Sequence, residues 1–588
     1  MAEANPHVVG PEGDRFKLPI HAERKIRIAC IGAGQAGLCF AYKLQRSFQN
    51  FELVVYEKNE GVGGVWYENK YPGLACDFPG HNYVYSFEPC ATFESEYAPR
   101  NAILKYFSDF AEKYGLHKYI RTRTKLNQAE WDDVKGEWKL QLEDLANDNM
   151  SFEHTADIVI NASGHLNRWK WPAVQGLHDF EGHLAHSANW DETFSLEGKR
   201  VAVLGNGSSG QQVLTAIQPN VQKVVHFIRQ PNWTTGPFCD PQRDYSPEEV
   251  EAFKNEPGKL QTKRKKDETI LNTFYSAFLH DSLLQTGLHG FAAQAMKAQG
   301  LPDELIPSFK PGCRRPTPGI GYIDALNASN TEVVLGEIQR VTSNGIVDHT
   351  GREHELDAIF CATGFDTTYV PGFEVRGLGA KTLKDLWAKD VTDSYMATTV
   401  PHMPNFMLFG GPFFPHVSGS AVHNSEIQAD YMLQLIDRYQ TEEIHSFTPS
   451  QAASRGFTAY CRRVLLNTVW SDRCRSHFKA GTANQGSLSM WPGSSMHFGE
   501  ALREVHAEDY DWVWRGTTAD EKEANRFVWL GNGFSATGAD PTSDLAWYIT
   551  EQDEGPLMSR GARRRQFTKS GTCPGRNEML APLGRVAD

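Results

Sequence analysis

KIRIACIGAGQAGLCFAYKLQ, residues 25–45, decides the fold. Residues 26–31 form an apolar run of the length of a buried parallel strand, and Gly32, Gly34 and Gly37 then open a helical pattern. Each glycine has a mechanical reason. Gly32 allows the tight turn, Gly34 removes the side chain that would block a pyrophosphate, and Gly37 lets helix and strand pack closely, while the helix N-terminus offers oriented N–H groups. A second strand, FELVVYEK, ends at Glu57 and Lys58. Glu57 lies 20 residues beyond Gly37, the spacing at which a carboxylate accepts hydrogen bonds from a ribose. The stretch predicts a bound adenine dinucleotide.

The pattern returns downstream in KRVAVLGNGSSGQQVLTAI, residues 199–217, with Gly205, Gly207, Ser208, Ser209 and Gly210 between strand and helix. Its second strand, KVVHFIRQ, ends at Arg229 and Gln230, 19 residues beyond Gly210. An arginine at this tip suits a ribose 2′-phosphate, which a carboxylate would repel, so NADPH is expected here. Two nucleotide folds on one chain suggest a relay in which NADPH reduces a bound flavin, FAD, at the first site. The later strand ELDAIFCATGFD is expected to return the chain, through Ala362, Thr363 and Gly364, to the first domain beside the flavin.

The fold class is therefore α/β, with two Rossmann-like dinucleotide-binding domains, one for FAD and one for NADP. The expected boundaries are 1–170 for the first part of the FAD domain and 171–350 for the NADP domain. Residues 351–588 form the second part of a discontinuous FAD domain, carrying pocket and lid segments. Charged helical patterns over 236–310 read as an insertion in the NADP domain, and SPEEVEAFKNE is a capped helix start.

Composition narrows the classes. At 588 residues, 40% hydrophobic and with a net charge of −13, the chain reads as a globular protein of several domains with nothing that invites nucleic acid. The basic runs KRKK at 263–266 and RRR at 563–565 read as solvated faces. Ten scattered cysteines without a CxxC pair suggest neither a zinc ribbon nor a disulfide scaffold, and a reducing compartment fits. The N-terminus lacks a secretory pattern and no apolar stretch reaches the length of a spanning helix, so a cytoplasmic location is expected. Oligomeric state is open.

After the first turn the chain continues GGVWYENKYPGLACDFPGHNYVYSF. Gly63, Gly64, Trp66, Tyr71, Pro72, Gly73 and Asp77 resemble the GGxWxxxxYPGxxxD motif of type I Baeyer–Villiger monooxygenases. Phe180, Gly182, His186 and Trp190 resemble their FxGxxxHxxxW fingerprint. With both glycine turns and the ATG turn, the resemblance runs from about residue 25 to about residue 370 and is closest to fungal members acting on bulky ketones. It implies a hinge at the fingerprint, with His186 ordering the linker by hydrogen bonding. His183 and His186 lack the acid- or cysteine-rich partner segment of a metal site, so no metal is expected. A departure is Asp191, where the family often has proline.

The same resemblance assigns the chemistry. FKPGCRRPTPGIGYIDALN matches the family's basic pair, which makes Arg315 the catalytic arginine and has Arg314 help Arg229 hold the NADP phosphate. A cation that cannot lose its proton suits a flavin peroxide that must stay ionised and an adduct that carries negative charge. Asp77 is expected to aim Arg315, with Glu57, Trp66 and Tyr83 as flavin contacts and Trp491 as a substrate or lid contact, although an aromatic core is the commoner explanation of its segment. The implied reaction turns a bulky apolar ketone and dioxygen into an ester or lactone. Two rivals stand beside it: a flavin monooxygenase that hydroxylates or oxidises nitrogen or sulfur, and a flavin-binding scaffold without turnover. Trp190 favours the first reading, because heteroatom-oxidising relatives commonly end the fingerprint in Tyr or Phe.

Overall fold

The computed structural model describes residues 15–387, 393–474, 476, 478–480, 487–550 and 559–560. The basic run at 563–565 lies outside them. Residues Glu23–Arg526 cluster as one unit. Residues 15–22 and 527–550 cluster as another, in which His21 stacks on Trp529 at 5.0 Å and the Ile20 N–H donates to the Phe534 carbonyl at 2.8 Å. Residues 527–550 were expected in the returning part of the FAD domain; they group instead with 15–22.

The larger unit is built on ten strands of two sheets. In chain order these are β1 (Ile26–Ile31), β2 (Phe51–Tyr56), β3 (Ile120–Arg121), β4 (Ile158–Asn161), β5 (His183–His186), β6 (Arg200–Leu204), β7 (Lys223–Ile228), β8 (Thr331–Leu335), β9 (Ala358–Cys361) and β10 (Phe406–Leu408). The first sheet has the order β10-β4-β1-β2-β3 and the second β8-β7-β6-β9-β5, all pairings parallel. Strands β1, β4, β6 and β9 are almost wholly apolar and buried, as central strands covered on both faces must be. Helix α1 (Gln35–Ser47) follows β1, and α2 (Ser208–Ile217) follows β6. β10 joins the first sheet from beyond the second, so the first domain is discontinuous.

Two expectations change here. β9 was assigned to the returning FAD segment, yet it pairs with β6 and β5 inside the second sheet, so that sheet extends past residue 350. The fingerprint also does more than link: residues 183–186 are the edge strand β5, in register with β9 from His183–Ala358 to His186–Cys361. Their apolar neighbours supply the reason, since β9 has a free parallel edge that only a further strand can satisfy.

The insertion comprises α3 (Pro247–Asn255), α4 (Lys259–Thr273) and α5 (Leu283–Ala298). Ser246 and Glu249 form a reciprocal capping box at the start of α3, an arrangement that stabilises a helix by about 1 kcal/mol. KRKK, expected as a solvated face, lies in α4 with three of its four cations committed. Lys263 donates to Glu96 at 2.9 Å and Asp267 at 3.0 Å, Arg264 to the carbonyls of His81 at 2.9 Å and Tyr85 at 3.0 Å, and Lys266 to Asp240 at 2.8 Å. Glu96 and Asp267 are buried carboxylates, and a buried carboxylate needs a cation. The run thus fastens the insertion to the segment around residues 81–96.

Candidate active site

At the first turn, Gly32 has φ +107°, and a Cβ there would lie 2.6 Å from the Ala162 carbonyl oxygen. A Cβ on Gly37 would lie 2.0 Å from the Gly32 oxygen. Gly34 faces Gly64 across a slot in which a Cβ on either would come within 3.4 Å of the other's Cα. The second glycine pair, Gly63 and Gly64 with φ +115° and +57°, therefore closes over the first turn without a side chain between them. The two segments approach this closely only because both positions are glycine, and the helix N-terminus beside them is where the turn would hold a pyrophosphate. Glu57, at the tip of β2, accepts from the Ala33 N–H at 2.8 Å and the Asn59 N–H at 2.9 Å. Burial raises its carboxyl against the pull of these donors. Lys58 pairs with Glu68 at 2.6 Å on a more exposed face.

The second turn repeats the frame. A Cβ on Gly205 would lie 2.6 Å from the Ala362 oxygen, and one on Gly210 would lie 1.9 Å from the Gly205 oxygen. Ala362, Thr363 and Gly364, expected beside the flavin, follow β9 and border this second turn. The counterpart at the first turn is Ala162, Ser163 and Gly164, which sequence reasoning missed. Its signal was present: both strands end in Ala-Ser/Thr-Gly, as INASG and FCATG. Gly207 faces open space, with no atom within 4 Å of a Cβ placed on it. Beyond it Arg229 is half-exposed, and Arg314 donates to the carbonyls of Gln230 and Pro231, each at 3.3 Å. Burial, reinforced by repulsion from Arg229, presses Arg314 down to about 10. Two cations held this close form a site suited to an anion.

Between the turns stands the Arg315–Asp77 pair. Arg315 donates from Nε to Asp77 Oδ2 at 2.9 Å and from Nη2 to Oδ1 at 2.6 Å, the planar two-point contact that fixes a guanidinium's direction. Burial opposes the Asp77 charge, but the guanidinium outweighs it and holds the carboxyl below its usual value. The Arg315 side chain keeps 33% of its surface open, so its charge is presented rather than consumed. Ser208, at the start of α2, donates to Asp77 Oδ2 at 3.3 Å, a link the sequence did not announce.

The YPGxxxD motif is a joint between the domains. Tyr71 donates to Gln212 Oε1 at 2.9 Å, and Gln212 Nε2 donates to the Ala75 carbonyl at 3.0 Å. A Cβ on Gly73 would lie 2.7 Å from the Gln212 carbonyl, so glycine lets the loop rest against α2. Trp66 and Tyr83 meet edge to face at 5.5 Å on the first-domain side, and burial pushes the Tyr83 hydroxyl up.

In the fingerprint, Gly182 leaves room for the Phe180 ring and the Asp357 carbonyl, which a Cβ would approach to 2.5 and 2.7 Å. Trp190 stacks on Phe360 at 4.5 Å. His186 is wholly enclosed, stacked on Trp169 at 4.7 Å, and burial presses it down to about 4. Its Nδ1 accepts from the Ala188 N–H at 3.1 Å, which leaves Nε2 as the donor toward Thr363 Oγ1 at 3.3 Å. It therefore bridges β5 to the ATG turn as a neutral ring. Trp491 is corrected: it is 2% exposed, lies 4.9 Å from Phe498 and donates to His497 Nδ1 at 3.0 Å, a core position rather than a lid contact. Among the described residues no group of three or more His, Cys, Asp or Glu could hold a metal ion, and no helix is long and apolar enough to cross a membrane.

Comparison with known proteins agrees with this geometry. The family description "Flavin-binding monooxygenase-like" matches residues 25–246. The FAD-binding monooxygenase tazF of Aspergillus terreus is 37% identical over 548 residues, covering 90% of this chain and 96% of that protein. A Baeyer-Villiger monooxygenase of Pseudomonas aeruginosa is 30% identical, covering 86% and 95%. The fold is that of cyclohexanone monooxygenase from Rhodococcus sp. Phi1 bound to NADP+, with a TM-score of 0.72 at 24% identity over 84% of this chain and 99% of that one. The chain belongs to the FAD- and NADPH-dependent flavin-binding monooxygenases.

Proposed function

We propose that this enzyme performs a Baeyer–Villiger oxidation, inserting one oxygen atom of dioxygen beside the carbonyl of a bulky apolar ketone. The observation that carries the reading is the Arg315–Asp77 pair, a permanently charged guanidinium aimed at two points and still open on one side. FAD, when bound, supplies the activation of dioxygen, and NADPH supplies the two electrons. The slot between Gly34 and Gly64 and the buried Glu57 would hold FAD; Arg229 and Arg314 would hold the 2′-phosphate of NADPH. Arg315 stabilises the negative charge that develops on the substrate carbonyl oxygen, and Asp77 keeps its plane from turning. Ser208 ties that carboxylate to the second turn, so the arginine's aim is coupled to the place where NADPH binds. His186, neutral at working pH, orients the ATG turn and moves no proton.

The name of the Pseudomonas aeruginosa relative supports the reaction type, and the bulk of the ketone rests on the sequence resemblance alone. The test is incubation of the holoenzyme with NADPH, 18O-labelled dioxygen and a panel of polycyclic, terpenoid and aryl ketones. An ester or lactone carrying one labelled oxygen is the expected product. A panel left untouched while an amine or sulfide is oxidised would establish the heteroatom-oxidising alternative instead.

A further inference from the structure

Arg315 stands on a loop, with no helix or strand to aim it. Two residues before it, Cys313 is bonded to Cys474, 161 residues further along the chain, with their Cα atoms 6.3 Å apart. No disulfide scaffold was expected, and among the described residues this is a single bridge beside seven free thiols, so the pairing is selective. Cys474 belongs to a strap that crosses the foot of the arginine loop. The His280 N–H donates to the Asn467 carbonyl at 3.0 Å, Lys310 Nζ lies 2.9 Å from His280 Nδ1, and a Cβ on Gly312 would meet Val469 at 3.3 Å. The buried Lys479 completes the setting. Its ammonium lies 3.9 Å from Cys313 Sγ and donates to the carbonyls of Asp472 and Cys474, the latter at 3.2 Å. A cation against sulfur favours the thiolate, the form that reacts.

We propose that Cys313 and Cys474 are a redox couple that sets how firmly the arginine loop is held, with hydrogen peroxide from uncoupled turnover as its oxidant. The proposal rests on the reading of Arg315 given above. One thiolate attacks peroxide, forming an S–O bond as the O–O bond breaks and hydroxide leaves, and the second thiolate then attacks that sulfur, forming the S–S bond as the S–O bond breaks and a second hydroxide leaves. The two protons given up by the thiols turn both hydroxides into water. Two thiols lose two electrons, peroxide gains them, and a dithiol reductant reverses the change. Both cysteines are buried, which admits a small oxidant and slows larger ones. Peroxide released by a loosely aimed arginine would thus restore the cross-link that tightens it.

The experiment uses the full-length holoenzyme, reduced or treated with hydrogen peroxide, alkylated and mapped by peptide mass spectrometry. Ester formed and hydrogen peroxide released are measured per NADPH in parallel. A linked 313–474 peptide is expected only after peroxide. Reduced enzyme and Cys474→Ser should release roughly tenfold more peroxide per ester, less than the hundredfold that a 1 Å misplacement can cost, with FAD content unchanged. Peroxide should restore coupling to the reduced wild type and not to Cys474→Ser, while Cys461→Ser behaves as wild type. Should Cys474→Ser fail to fold, the reduced wild type makes the same comparison. Absence of the linked peptide overturns the proposal, as does a linkage that leaves coupling unchanged. If no ketone is converted, the Baeyer–Villiger reading fails separately, and NADPH-dependent peroxide release still reads the couple.

Discussion

The two dinucleotide turns share a frame and differ in their covering. In each, an arginine at the start of the central strand donates from its backbone N–H to an aspartate ahead of the crossover strand, Arg27 to Asp157 and Arg200 to Asp357, both at 2.7 Å. Each first glycine rests on an alanine carbonyl, and each third glycine rests on the first. The surroundings then diverge. Gly34 is roofed by Gly64 and the strand tip is a buried glutamate; Gly207 is open and its tip is a half-exposed arginine. In the reading proposed above, the covered frame would hold FAD and the open one NADPH. What separates them is the loop laid over the turn, not the turn itself.

The difference is broken most severely by a matched pair of substitutions. Gly37→Ala and Gly210→Ala each force a Cβ against a carbonyl, a clash worth about 1–3 kcal/mol, or roughly ten- to hundredfold in binding. Gly37→Ala should yield colourless protein, whereas Gly210→Ala should stay yellow and resist reduction by NADPH; absorbance at the flavin band checks both. Equal flavin loss in the two variants would show that the sites are not independent.

Arg315→Ala removes the charge between the turns while leaving both intact. Ester formation should fall roughly a hundredfold, with FAD retained and NADPH still consumed to hydrogen peroxide. A near-normal ester rate would remove Arg315 from the chemistry. Arg229→Ala strikes the open site alone: the KM for NADPH should rise roughly tenfold with that for NADH little changed, since one charge-assisted contact is worth about 1.5–3 kcal/mol. Comparable use of both nucleotides by the wild type would refute the assignment.

A pH effect joins the halves. Burial presses His81 and His165 on the first side, and His186 and His226 on the second, down to about 4. Below pH 6.5 the unfolded chain takes up protons that these rings refuse, so stability falls as pH drops from about 6.5 toward 4. Thermal unfolding at pH 7.5, 6 and 5 should show a falling Tm. His186→Gln should lessen the slope slightly.

Legibility followed locality. Both turns, Glu57, Arg229 and the capping box were readable because each is set by a few neighbouring residues. Ser208 on Asp77 was not, since 131 positions separate them and each stands in a motif that was read for another purpose. Nor was the pairing of Cys313 with Cys474, where spacing holds no information. The place of β9 was misjudged because a parallel strand's partners depend on the path of the whole chain; the second Ala-Ser/Thr-Gly turn would have corrected it, read as a repeat. KRKK was misjudged because composition cannot tell a solvated cation from one facing a buried carboxylate.

Those committed cations limit how freely this chain can exchange parts with its relatives. The insertion between the second turn and the arginine loop has the form of a cassette, and transplanting it between relatives would be a natural way to alter the pocket. Yet Lys263 finds its carboxylate in Glu96, outside the cassette, and Arg264 finds its acceptors at His81 and Tyr85. A graft taken without residues 81–96 would bury unpaired charge on both sides of the seam, at a cost of several kcal/mol. Modular exchange in this scaffold therefore has to cut before residue 81, so that the loop and the helices travel together.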